Sequence, residues 1–387
     1  MLTINNIQSL YDEFKVHQIS GRYITNSHIL PFLKNLNSNF KLQNIGFSEK
    51  NTPIYSINFG KGQTKILIWS QMHGNETTTT KSLLDCLNLF NSFNNEFIVN
   101  NVCVKIIPIL NPDGAKCYCR LNSNNIDINR DADELTQSES RVLRALFNKF
   151  KPNYCFNMHD QRTIYSAGND GYPATLSFLS PSQDNNRSLT NNRRIGMKII
   201  SSLRHALDIY LPYQISRYND RFNINCVGDK FQSLGVPTIL FEAGHYDNDY
   251  NRDITRKYMM FAIYQTFLSI INKSYINYST DNYFDIPENK SKYFDILIKG
   301  VSFDKNLKDI RDVGILYEES LYKNKINFTP FVAEIGDLRS YYGHKTFDAK
   351  SMYVSNVFDK TIGESDLVNQ IFINNKRIDL FINNNLK

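Results

Sequence analysis

The sequence predicts an α/β layered domain built on a largely parallel sheet, followed by a smaller β-rich domain. Three observations carry this. Runs that are nearly all apolar, such as VCVKIIPIL (102–110) and VPTILFEAG (236–244), read as strands covered on both faces. Amphipathic helical stretches alternate with these runs, as expected for strands joined by crossover helices. The alternation stops near residue 273, where a polar, turn-rich stretch gives way to short alternating strands.

In chain order, residues 1–45 read as short helices, SLYDEFK and HILPFLKNLNSNF. PIYSINFG (53–60) and KILIWS (65–70) read as strands parted by the turn KGQT. A helix follows at about 77–93, with Leu83, Leu84, Leu87 and Phe90 on one face. The strand 102–110 runs into NPDG, a turn signal. QSESRVLRALFNKF (137–150) is amphipathic, and KPNYCFNMH (151–159) enters another strand. Residues 188–208 and 252–272 read as helices on either side of the buried strand 236–244. The expected division is an α/β domain over 1–273, a linker over 274–289 and a β-rich domain over 290–387, with strands such as KYFDILIKG, QIFIN and RIDLFIN.

Composition narrows the function. At 387 residues with 41% hydrophobic and 21% charged content, the chain can bury a full core. The net charge of +6 is spread along the chain without a basic block, which argues against a nucleic-acid partner. No apolar run reaches the roughly 18–20 residues of a membrane span, and the N-terminus lacks the pattern of a secretory leader. The six cysteines form no CxxC pair, so free thiols in a reducing, cytoplasmic setting are expected.

The chemistry centres on HGNE. His73 and Glu76 stand three residues apart at the end of an apolar strand, a spacing that turns both side chains the same way at a helix start. Alone, the pair reads more readily as an ordinary strand-to-helix turn. NPDG (111–114), RLNSNNIDINRD (120–131), His159 closing NYCFNMH and Glu242 closing VPTILFE give it company. All sit at or just past C-terminal strand ends, where open α/β sheets place their sites.

Taken together and in this order, HGNE, NPDG, the Arg120-to-Asn129-Arg130 spacing, the His of FNMHD and the Glu of LFEAG resemble the zinc carboxypeptidase family of the carboxypeptidase A type, over about residues 20–272. The resemblance implies a three-layer domain with a mixed, largely parallel twisted sheet. It implies one Zn2+ held by His73, Glu76 and His159, the two-histidine, one-glutamate set known for carboxypeptidase A and carried over on that ground. It further implies Glu242 as the general base, Arg120 as the group that polarises the scissile carbonyl, and Asn129 and Arg130 as the clamp on the substrate's terminal carboxylate. Tyr218 stands near the place of the family's loop tyrosine. The segment NCVGDKFQSLG (225–235) would line the terminal side-chain pocket, with Gly228 and Asp229 near its selectivity positions.

The expected activity is therefore zinc-dependent removal of C-terminal residues from peptides. Many digestive members carry Arg just before the ligand Glu; here it is Asn75. HGNE is also shared with related amino-acid deacylases, so a zinc amidase or deacylase acting on a small cell-wall peptide or an N-acyl amino acid is the alternative. A binding protein that has lost catalysis is disfavoured by the intact ligand set and general base. His17, His28, His205, His245 and His344 read as structural or solvent-exposed. Cys117 and Cys119 read as alternating side chains of a strand. Asp160, next to His159, is either a support for that ligand or a plain strand-end carboxylate.

Overall fold

The computed structural model describes residues 4–92, 96–304, 306–357, 360–374 and 376–382. The chain divides into two units, Met1–Gln161 with Ala174–Asn289, and Arg162–Pro173 with Lys290–Lys387.

The first unit is built on an eight-stranded sheet. Its strands are β1 (Lys41–Phe47), β2 (Pro53–Phe59), β3 (Thr64–Trp69), β4 (Val102–Ile107), β5 (Tyr154–Asp160), β7 (Leu176–Leu179), β8 (Ile215–Arg217) and β9 (Thr238–Ala243), with β6 (Tyr165–Ala167) belonging to the second unit. The order is β1-β2-β4-β3-β5-β9-β7-β8. The central run β4-β3-β5-β9 is parallel, while β1, β2 and β7 run antiparallel to their inward neighbours. Helices α1 (Ile4–Phe14), α2 (Asn26–Lys34), α3 (Thr78–Ser92), α4 (Glu96–Asn101), α5 (Pro112–Cys117), α6 (Ser138–Phe150), α7 (Asn191–Leu207), α8 (Val227–Ser233), α9 (Asp253–Ile271) and α10 (Thr280–Phe284) complete the unit.

Successive strand residues point to opposite faces, and the two cores follow that alternation. Ile66, Ile68, Phe156, Met158, Ile239 and Phe241 pack with α3, α7 and α9. Leu67, Trp69 and Cys155 pack on the other side with Leu143 and Phe147 of α6 and Phe231 of α8. The result is a mixed, largely parallel sheet between two helical layers. By the same parity His159 and Glu242 face the α6 and α8 side. Among the described residues no helix is long and apolar enough to cross a membrane.

Several elements differ from the sequence reading. Residues 41–47 form an edge strand, not helix. Their half-exposed positions give neither a 3.6-residue nor a two-residue pattern to read. NPDG opens α5: the Asn111 side chain accepts from Gly114 N at 2.8 Å and Pro112 takes the first helical position. Cys117 therefore ends a helix, and Tyr118 in the left-handed region (φ 56°) turns the chain before Cys119. The short strands β7 and β8 had no separate signal. Residues 274–289, read as a linker, hold a 3-10 turn (Ser274–Asn277) and α10, with Tyr283 and Ile286 buried, and they fall in the first unit. All six cysteines are free.

The second unit is β-rich. Beyond the pair of β6 with β10 (Asn289–Ser291), which begins at the last residue of the first unit, it contains a four-stranded sheet of β11 (Tyr293–Ser302), β12 (Ile310–Tyr322), β13 (Lys325–Gly336) and β14 (Tyr342–Asp348) in the order β13-β12-β11-β14. A further sheet pairs β15 (Val354–Ser355), β16 (Gln370–Ile373) and β17 (Lys376–Asp379). Ile296, Ile298, Val313, Ile315 and Ile371 centre its core.

The N-terminal segment is tied down by a buried ion pair. Arg256 of α9 donates to both oxygens of Asp85 on α3, at 2.7 and 2.6 Å, and neither side chain is exposed. Asp85 also accepts from Tyr11 Oη and Val16 N, and Arg256 donates to the carbonyls of Val16 and Ile19. Removing one partner leaves an uncompensated buried charge, so Asp85→Ala is expected to cost about 3–5 kcal/mol. Urea unfolding measures this, and a midpoint within error of the parent's would contradict it.

Candidate metal centre

The site begins where β3 ends. Beyond Trp69 the chain turns through Gln71, in the left-handed region at φ 48°, and reaches His73. Gly74 lies against the backbone of Gly114: a Cβ there would sit 1.9 Å from the Gly114 carbonyl carbon. HGNE and NPDG are thus pressed together, and the close approach needs a glycine at 74. Glu76 N donates to His73 O at 3.1 Å, which closes the turn ahead of α3.

Three side chains converge. Glu76 Oε1 lies 2.7 Å from His73 Nδ1, Glu76 Oε2 lies 2.8 Å from His159 Nδ1, and the two imidazole Nδ1 atoms stand 3.2 Å apart. His73, Glu76 and His159 each offer a ligand atom, all within 4.8 Å of one another, and all three are buried. Burial works against the charged forms here. In Glu76 the two histidines outweigh it and hold the carboxyl well below its usual range. Burial lowers His159, whereas Glu76 and Asp127 outweigh it in His73 and raise that imidazole. Two imidazole nitrogens and two carboxylate oxygens aimed at one buried point are a donor set that suits a single zinc ion.

The parallel ladder supplies the next residue. β5 and β9 pair with His159 opposite Glu242, and β7 sets Ser177 against Glu242 on the other side. Part of Glu242 is open to solvent, but its Oε2 is enclosed and has no hydrogen-bond partner among the described residues. Burial, then the charges of Glu76 and Asp160, push its carboxyl well above the usual range; Arg120 and Arg252 pull the other way. Such a carboxyl holds its proton more tightly than an exposed one.

Arg120, half exposed, donates to Glu76 Oε1 at 3.2 Å and to Asp127 Oδ2 at 3.0 Å. Asn129 and Arg130 lie in the 3-10 turn Ile128–Arg130. The Asn129 side-chain oxygen accepts from Val227 N at 2.9 Å, so its amide nitrogen is the end left to donate elsewhere. Arg130 Nη1 donates to Asn129 O at 2.7 Å and to Cys226 Sγ at 3.1 Å. Tyr218 follows β8, two strands beyond β9, with its amide bonded to Phe178 O. The structure therefore brings His73, Glu76, His159, Glu242 and Arg120 together and sets Asn129 and Arg130 beside the α8 start.

Two residues escaped the sequence reading. Asp127 Oδ1 bonds His73 Nε2 at 2.9 Å while capping the 3-10 turn through Asn129 N. A carboxylate on the far nitrogen fixes the tautomer that leaves Nδ1 free to ligate. Its one signal is an acid two residues before Asn129 in DINR. Arg252, buried, donates to the carbonyls of Gln161 and Ala243 and so ties together the ends of the two strands that carry His159 and Glu242. Nothing in its sequence surroundings marks that role.

Residues 29–196 match the family model of the zinc carboxypeptidases. Over 101 residues the chain is 31% identical to Carboxypeptidase 2 of Trichophyton rubrum, a match that covers 25% of this chain and 19% of that protein. The chain thus spans about a fifth of the length of the curated relatives it matches. Its fold is similar to that of a metallo-carboxypeptidase from Burkholderia cenocepacia (TM-score 0.50, 14% identity, 64% of this chain and 68% of that one). It is also similar to a metallo-carboxypeptidase from Pseudomonas aeruginosa in complex with (2-guanidinoethylmercapto)succinic acid (TM-score 0.50, 13% identity, 65% and 68%). At these identities the structural likeness is one of fold.

Asp229, at the start of α8, is buried with Oδ2 accepting from Asn223 N at 3.1 Å. Burial raises its carboxyl from the ordinary 3.8 to about 7. The folded chain therefore holds this proton more tightly than the unfolded chain does. The stability gained is fully present below pH 3.8 and is lost as pH rises through 7. Asp229→Asn removes the titration, so its stability relative to the parent is expected to climb by roughly 1.4 kcal/mol per pH unit across that window. Urea midpoints of the two chains at several pH values test this, and a pH-independent difference would contradict it.

Proposed function

We propose that the chain is a zinc-dependent metallocarboxypeptidase that hydrolyses the C-terminal peptide bond of substrates with a free carboxylate. The observation that carries the reading is the convergence of His73, Glu76 and His159 with Glu242 next to His159 in the sheet. When bound, zinc supplies Lewis acidity toward a carbonyl and makes water acidic enough to attack near neutral pH.

The chain's own residues do the rest. Glu242 Oε2, enclosed and unbonded, takes a proton as the attacking water oxygen bonds to the scissile carbonyl carbon. Arg120, held by Asp127 beside Glu76, stabilises the negative charge that develops on the carbonyl oxygen. Collapse breaks the C–N bond, and Glu242 returns the proton to the leaving amine. Arg130 and the amide nitrogen of Asn129 pair with the substrate's terminal carboxylate, which restricts cleavage to the last bond. Tyr218, just after β8, is the candidate for a further substrate contact in this reading.

A second reading, a zinc amidase or deacylase on a small substrate, is favoured by Asn75. It stands where many peptidase members carry Arg, and its Oδ1 is buried without a partner among the described residues.

The test uses zinc-loaded protein and three substrate sets: peptides with free C-termini, the same peptides amidated, and N-acyl amino acids. Release of terminal residues from the free peptides alone is expected. Glu242→Gln is expected to lower kcat about 10²–10⁴-fold, and Arg130→Ala to raise KM more than it lowers kcat. Turnover confined to N-acyl amino acids would transfer the protein to the second reading, and equal cleavage of amidated peptides would remove the clamp.

A further inference from the structure

We propose that Asp160 is a positioning residue for the metal centre: it locks the strand end that carries His159 to the helix start that follows Glu76, and so sets the span between those two ligands. Neighbouring residues of a strand face opposite ways. His159 turns toward the site, and Asp160, immediately after it in β5, turns toward the layer that contains α3.

There its two carboxylate oxygens take one amide each from the beginning of the 15-residue helix. Thr78 N donates to Oδ2 at 2.7 Å and Thr79 N to Oδ1 at 3.1 Å. These amides have no partner within the helix, and an anion suits that end of the helix dipole. The backbone returns the contact: Asp160 N donates to Glu76 Oε2 at 3.2 Å, the same oxygen that faces His159 Nδ1. Glu76 lies two residues ahead of Thr78, and His159 one residue ahead of Asp160. The ring Glu76–Thr78–Asp160–Glu76 is therefore closed by two hydrogen bonds from elements 82 to 84 residues apart, and both ligands are attached to it. Asp160 is buried at 8% exposure, so water cannot readily replace the contact. In the sheet it pairs with Ala243, next to Glu242, so the same joint borders the base.

The inference rests on the zinc-site reading alone, whichever substrate the enzyme takes. Its test measures zinc affinity of the full-length, metal-free chain by competition with a chromophoric chelator, and the d–d spectrum of the Co2+ form. Asp160→Ala is expected to weaken zinc binding about 10–100-fold and to alter the Co2+ spectrum. Asp160→Asn, which keeps one acceptor and the shape, should fall between it and the parent, and it decides the matter if the alanine variant does not fold. Asp249→Ala is the control. Asp249 caps α9 through the amides of Asp253, Ile254 and Thr255, so its loss should lower the melting temperature of the metal-free protein while leaving zinc affinity as it was. Parental zinc affinity in the folded Asp160 variants, or equal weakening in the Asp249 control, would overturn the proposal and leave Asp160 as an ordinary helix cap. No zinc binding by the parent chain would overturn the metal reading itself, and the joint with it.

Discussion

The parallel pairing of β5 with β9 is the constraint on which the metal centre depends. Its register sets His159 directly beside Glu242, on the face that looks toward α6 and α8. A slip of one residue in this pairing would turn one of the two side chains into the opposite core, because strand side chains alternate. Pairing of β5 with β3 then brings the end of β3 alongside, and with it the turn that presents His73 and Glu76. Arg252 reinforces the arrangement from behind by holding the carbonyls of Gln161 and Ala243.

Electrostatics explain why such a site is assembled on rigid elements. Glu76 and Asp127 are both held below their usual range by the histidine they share, while Glu242 is pushed above it by burial and by Glu76 and Asp160. Acidic groups in one pocket have thus been driven apart in proton affinity. Charges brought this close out of water are costly unless geometry compensates them. The compensation here comes from fixed donors, the Arg120 guanidinium and the amides of Asp160 and Asn129.

How much of this was legible depended on how local each signal was. His73 and Glu76 were readable because a turn places residues three apart on one side whatever the rest of the chain does. NPDG was readable as a break but not as the start of α5, since Asn followed by Pro serves equally as a turn and as a helix cap with its first residue. Cys117 and Cys119 looked like strand alternation, yet the left-handed Tyr118 between them ends a helix. Lys41–Phe47 was missed because an edge strand exposed on most of its length buries too little to leave a pattern. Asp127 and Arg252 act only on partners far away in the chain.

By itself, the sequence determined the residue types of the centre, the alternation of buried strands and helices, and the family resemblance that joins HGNE to His159 and Glu242. Those follow from side-chain chemistry and from periodicities that each segment carries alone. Only the tertiary structure decided which oxygen of Glu76 meets which imidazole, that Asp127 holds His73, that Asn129 presents its nitrogen because Val227 occupies its oxygen, and that Asp160 ties a strand to a helix. These are distances between segments tens of residues apart, and strand register and glycine-to-glycine contact set them, neither of which is written in any one stretch of the chain.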